Sequence, residues 1–79
     1  MTTLKRLRLE RELSQGALGA LLGTDYMTVW RWETLRSDPR WRNVRKLERM
    51  FGLPIEELLA PVPDNERAAV PRRSDARRS

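Results

Sequence analysis

The sequence predicts an all-α fold: a compact bundle of five short helices that contains a helix-turn-helix and is followed by a disordered C-terminal tail. Three observations predict it. Apolar residues in the first 60 positions recur at helical spacing. No segment shows the strict apolar/polar alternation of a half-buried strand. Glycine, proline and capping residues cut the helical pattern into short pieces. A chain of 79 residues accommodates one core, which places the domain at residues 1–60 and the tail at 61–79.

Leu4 and Leu7 mark one face of a first helix that runs to about Leu13. Ser14 is a favourable N-cap for the second, with Ala17, Leu18, Leu21 and Leu22 as its buried stripe. Gly23 ends that helix, because glycine accepts the left-handed conformation on which helices often finish. Asp25 caps a third helix whose inward pair is Val29 and Trp32. Pro39 opens a fourth after a loop, with Val44, Leu47 and Phe51 inside and Gly52 as its stop. Trp41 is expected to pack where that helix begins. Pro54 starts a short fifth helix, and Glu56 and Glu57 in its first turn suit the helix dipole. Ile55, Leu58 and Leu59 then close the core before Pro61.

Composition narrows the function. The chain has a net charge of +5, and most of its cations are arginine, whose planar fork suits phosphate oxygens and guanine edges. Charge alone fits nucleic-acid binding and a plain basic surface equally well. There is no cysteine and no histidine. Disulfides, thiolate and imidazole metal sites, and the usual nucleophile and general base are therefore missing. No enzyme, metal, cofactor or small-molecule ligand is expected. No apolar run approaches the roughly 20 residues that span a bilayer, and the N-terminus lacks a signal core, so neither a membrane nor secretion is expected. A cysteine-free chain fits the cytoplasm. The tail has three prolines, five arginines and only valine and alanine as apolar residues. It cannot bury enough surface to offset chain entropy. Its Arg72, Arg73, Arg77 and Arg78 are read as phosphate contacts or as solvated charge.

The short connection between Gly23 and Asp25 is that of a helix-turn-helix, in which the second helix enters the DNA major groove. With Val29 and Trp32 inward, Tyr26, Met27, Trp30 and Arg31 fall on the outer side. Arg31 suits a guanine edge, and Met27 or Tyr26 suits a thymine methyl. Trp30 suits either DNA or a protein surface.

The stretch LKRLRLERELSQGALGALLGTDYMTVWRWE resembles the phage-repressor and Cro-type (Xre-like) helix-turn-helix family. The matching residues are Leu13-Ser14-Gln15, Leu18, Leu22-Gly23, Thr28-Val29 and Arg31-Trp32-Glu33. The similarity continues through Pro39, Leu47, Phe51-Gly52-Leu53 and Glu57-Leu58-Leu59. It covers residues 4–59 without a gap.

The resemblance implies a lambda-repressor-like fold and a bacterial or phage-encoded transcriptional regulator in the nucleoid. Its partner would be double-stranded DNA, with Tyr26, Met27, Trp30 and Arg31 at base-reading positions. Gln15, Thr28, Arg40, Arg42 and Asn43 would serve the phosphate backbone. Arg8 and Glu33 match a buried ion pair. The resemblance further implies a repressor acting as a homodimer on a near-palindromic operator, its recognition helices about 34 Å apart. Leu35 with Leu53, Leu58 or Leu59 are the candidates for the dimer seam. The alternative is a protein-interaction module (adaptor, coactivator or antitoxin) that binds through Tyr26, Met27 and Trp30. Three departures from the family pattern carry expectations of their own. Thr34-Leu35 replaces Asn-Gly, so the loop is expected to take another path with Leu35 exposed. Gly19 replaces alanine, which is expected to weaken its helix by up to about 1 kcal/mol. Glu48 stands where a small apolar residue is usual, which is expected to disturb packing.

Overall fold

The first unpaired N–H groups of a helix need acceptors, and in three of the five described helices the residue before the helix supplies one. The computed structural model describes residues 1–62. Its helices are α1 (Thr3–Glu10), α2 (Gln15–Leu22), α3 (Tyr26–Glu33), α4 (Trp41–Phe51) and α5 (Ile55–Leu58). Thr2 Oγ1 accepts from Lys5 N at 3.1 Å, Ser14 Oγ from Ala17 N at 2.9 Å, and Asp25 Oδ1 from Thr28 N at 2.9 Å. α4 starts differently. Its N-cap is Arg40, an extended residue that gives no side-chain cap. Pro39 therefore does not open the helix; it stays buried in the loop, and Asn43 N and Val44 N donate to Arg40 O, both at 2.9 Å.

The first four helices are closed by left-handed residues. α2 finishes on Gly23, with φ 78°, and Thr24 N donates to Gly19 O at 2.8 Å. α1 uses Glu12 in the same way, with φ 58°, so the helix stops at Glu10 rather than near Leu13. Leu13 N then reaches back to Arg8 O at 3.1 Å. At the end of α3 the expected different path is not taken. Leu35 itself adopts φ 61°, Leu35 N donates to Trp32 O at 3.1 Å, and Arg36 N donates to Arg31 O at 2.8 Å. This is the Schellman closure that a glycine would normally serve, made by a leucine at a conformational cost of about 1–2 kcal/mol. Leu35 is exposed, as expected.

The core consists of Leu4, Leu18, Leu22, Val29, Trp32, Leu47, Phe51 and Leu58, with Leu7, Leu13, Met50, Leu53, Ile55 and Leu59 packed around them. Leu21 and Trp41 correct the sequence reading. Leu21 is exposed, because Leu18 and Leu22 already occupy the inward arc and Leu21 lies about 100° from Leu22. Trp41 stands in the first turn of α4, where no other helix covers it, and is 72% exposed. Leu58 is fully buried, which removes it from any surface seam.

Two other departures from the family pattern have structural uses. A Cβ at Gly19 would lie 2.9 Å from the Asp25 carbonyl carbon and oxygen and 3.1 Å from Thr24 O. Glycine lets the turn fold back onto α2, so its weaker helix propensity is offset by this close approach. Glu48 does not disturb packing. Its Oε2 accepts from Ile55 N at 2.8 Å, capping α5, whose own N-cap is a proline with no hydrogen-bonding side chain. The chain after α5 returns to the N-terminus: Thr3 N donates to Ala60 O and Val62 N to Met1 O, both at 2.9 Å, and Thr2 and Pro61 form an isolated antiparallel bridge. Apart from that bridge, no strand occurs among the described residues. Residues 63–79, with the disorder and the arginine contacts expected of them, lie outside the described residues.

Candidate functional site

A three-residue turn, Gly23-Thr24-Asp25, joins α2 to α3. Burying Val29 and Trp32, at 0% and 2% exposure, fixes which side of α3 faces outward. Tyr26, Met27 and Trp30 are exposed on that side, and so is Arg31. The Arg36 guanidinium lies over the Trp30 ring at 5.0 Å, a cation–π contact. The Schellman turn at Leu35 holds Arg36 there.

A buried polar network fixes the far end of α3. Arg8 Nε donates to Glu33 Oε2 at 2.6 Å and Arg8 Nη2 to Glu33 Oε1 at 3.1 Å. Arg8 Nη1 donates to Leu13 O at 2.8 Å. Gln15 Nε2 adds a bond to Glu33 Oε1 at 3.0 Å. Glu33 is thus held by donors from α1 and from the start of α2, and a bidentate Arg–carboxylate pair resists rotation. Gln15, expected at the phosphate backbone, is half-buried and gives one amide N–H to Glu33. At the near end of α3, Asp25 Oδ1 accepts from the backbone and the hydroxyl of Thr28. These bonds hold the Asp25 carboxyl below the ordinary carboxylate range, the Thr28 backbone bond contributing most. The Thr28 hydroxyl accordingly serves the cap, while the residue lines an adjoining cleft.

Beside α3 lies a cleft of about 410 Å³ lined by Thr24, Thr28, Arg31, Ser37, Asp38, Arg40 and Asn43. A second hollow of about 280 Å³ continues it past Gly23 to Arg40, Arg42, Asn43 and Lys46. Asp38 is the one carboxylate against four cations across the two hollows. Arg40 and Arg42 are exposed. Asn43 Oδ1 is buried with no hydrogen-bond partner among the described residues. Lys46 Nζ donates to Leu22 O at 3.3 Å, at the negative end of α2. Sequence reading missed Lys46, although its position one turn beyond Arg42 is visible in the sequence. The structure therefore brings Arg31, Arg40, Arg42 and Asn43 together along one side of α3, with Tyr26, Met27 and Trp30 projecting beside them. An α-helix with its side chains is about 10–12 Å across, matching a B-DNA major groove about 12 Å wide.

No group of three or more His, Cys, Asp or Glu that could hold a metal occurs among the described residues. No described helix is long and apolar enough to cross a membrane. A family model described as a helix-turn-helix domain matches residues 2–60, nearly all of the folded part. No curated protein and no solved structure matches the chain.

Proposed function

The chain belongs to the helix-turn-helix domain family, a DNA-binding class, and on that premise we propose that it is a sequence-specific transcriptional regulator of double-stranded DNA. It acts as a repressor, binding a near-palindromic operator as a homodimer in the nucleoid of a bacterial cell. The observation that carries the reading is the outer face of α3. Three large apolar side chains and one arginine stand out from a rigid helix, flanked by a basic cleft. Arg31 pairs with a guanine edge, while Tyr26, Met27 and Trp30 make apolar and shape-dependent contacts in which thymine methyls weigh heavily. Arg40, Arg42 and Asn43 hold the backbone and set the register. Gln15 and Thr28 contact backbone phosphates, and their bonds to Glu33 and Asp25 stiffen the two ends of α3. Leu35, exposed at the end of α3, remains the candidate for the seam between two copies.

Selection of bound duplexes from a random pool, followed by mobility-shift titration at two salt concentrations, tests this. The expected outcome is a symmetric site whose retardation survives competitor DNA. Binding that is salt-sensitive but indifferent to sequence overturns the reading. Equal discrimination between sites by Arg31→Ala removes Arg31 from base readout.

The exposed apolar face also favours a second reading, an adaptor, coactivator or antitoxin that binds protein through Tyr26, Met27 and Trp30. Loss of partner capture in Trp30→Ala, with no DNA selectivity in the parent chain, supports that reading over the first.

A further inference from the structure

The outer face of α4 carries a charged stripe of which the contacts assigned to α3 and its basic cleft use only Arg42. At 100° per residue, Trp41, Arg42, Arg45 and Arg49 share the arc opposite Leu47 and Phe51, and all four are exposed. Trp41, at 72%, has the highest exposure of any large apolar side chain among the described residues. Arg45 Cζ lies 5.8 Å from the centroid of its ring. The single carboxylate of α4, Glu48, borders a hollow with Arg45 and Arg49 but accepts from Ile55 N through Oε2, and Arg42 and Arg49 make no ion pair among the described residues. Like charges one turn apart weaken a helix, and an exposed indole gains nothing from water. An anionic surface relieves both.

We propose that Trp41, Arg45 and Arg49 form a second backbone contact, receiving the phosphodiester strand that flanks the stretch read by α3. The proposal rests on the reading of the chain as a DNA-binding regulator. Arg42 belongs both to the stripe and to the basic hollow beside α3, so the two surfaces are continuous. Arg45 and Arg49 stand one turn apart, about 6 Å along the axis. Each guanidinium fork thus has its own phosphate in a regularly spaced row. Trp41 packs on the sugar edge with its ring backed by Arg45. A regular row of cations on a straight helix complements a regular row of phosphates better than the irregular carboxylates of an acidic protein.

The test compares the full chain with Arg45→Gln/Arg49→Gln on two duplexes. One contains only the selected site and the other carries ten further base pairs on each side. Both substitutions lie on the solvent face, and matching thermal unfolding curves establish that the variant folds. On the long duplex the salt slope of binding is expected to fall by about 1.8, two contacts at about 0.9 each. The variant then loses roughly tenfold less affinity than the parent between 50 and 200 mM salt. On the short duplex the two proteins behave alike, and base preference is unchanged on both. Trp41→Ala weakens binding to the long duplex alone. An unchanged slope on the long duplex, with sequence selectivity intact, overturns the second contact and leaves the regulator reading standing. So does retention on a polyglutamate matrix that the variant loses while its DNA slope stays unchanged. A parent chain that selects no sequence overturns the regulator reading itself, and the second contact with it.

Discussion

Replacing Arg8 with methionine removes the cation around which the end of α3 is built. Arg8 and Glu33 are 5% and 7% exposed, and Arg8 supplies two of the three side-chain donors to the carboxylate. The variant leaves Glu33 buried with Gln15 alone and Leu13 O without its partner. Stripping one member from a buried ion pair costs about 3–5 kcal/mol. A folded unit of this length, at about 0.05–0.15 kcal/mol per residue, has a total stability of about 3–9 kcal/mol. The loss is therefore comparable with the whole, and at about 4–8 °C per kcal/mol the Tm falls by tens of degrees. Arg8→Met/Glu33→Leu removes both charges and replaces them with apolar volume, an exchange that is often close to neutral. Urea unfolding followed by circular dichroism, run as a double-mutant cycle, reads the coupling directly. The expected result is a double variant more stable than Arg8→Met. A single-variant cost below about 1 kcal/mol, the range of an exposed pair, or losses that simply add, would refute the reasoning.

Three further outcomes are expected. Helix propensity alone predicts that Gly19→Ala gains about 1 kcal/mol. A Cβ 2.9 Å from backbone atoms of Asp25 is an overpacking that costs about 1–3 kcal/mol, so the Tm should fall, and a rise would refute the close-approach argument. Glu12→Gly and Leu35→Gly relieve left-handed residues at φ 58° and 61°. They should raise the Tm by a few degrees, less at Leu35 because its remaining side-chain contacts are lost; a fall at Glu12 would show that no strain is stored there. Asp25 is more acidic in the folded chain than its ordinary value of 3.8 because Thr28 bonds the ionised form. Its stabilising contribution is therefore complete above that value and is lost as the pH falls below it. Parent stability should drop more between pH 5 and pH 3 than that of Asp25→Asn, and parallel pH profiles for the two proteins would remove the linkage.

The number and order of the helices were legible from the sequence because local chemistry decides them. Ser14 and Asp25 can cap only a helix that begins at the next residue, and Gly23 and Gly52 accept the left-handed closure at low cost. Leu18, Leu22, Val29, Trp32 and Leu47 recur at the spacing of a buried face. The Arg8–Glu33 pair was legible through the family pattern, which records a long-range pairing that no local rule contains. Lys46 was missed because nothing local marks a lysine as facing another helix's carbonyl end. Leu21 and Trp41 were misplaced for a related reason. An apolar residue at the edge of a helical stripe is buried only if some other element happens to cover it.

What the sequence determined by itself was therefore the number and order of the helices, the caps at Ser14, Gly23, Asp25 and Gly52, and the composition of the outer face of α3. Only the tertiary structure decided that Gln15 turns to Glu33, that Glu48 reaches across to cap α5, and that Leu35 takes the place of a glycine. It also decided that Gly19 is required by a neighbouring backbone and that Trp41 stands in solvent on a row of arginines. Each of these depends on the distance between segments far apart in the chain. Capping and periodicity act within a turn or two, whereas these positions are set by how the packed helices meet.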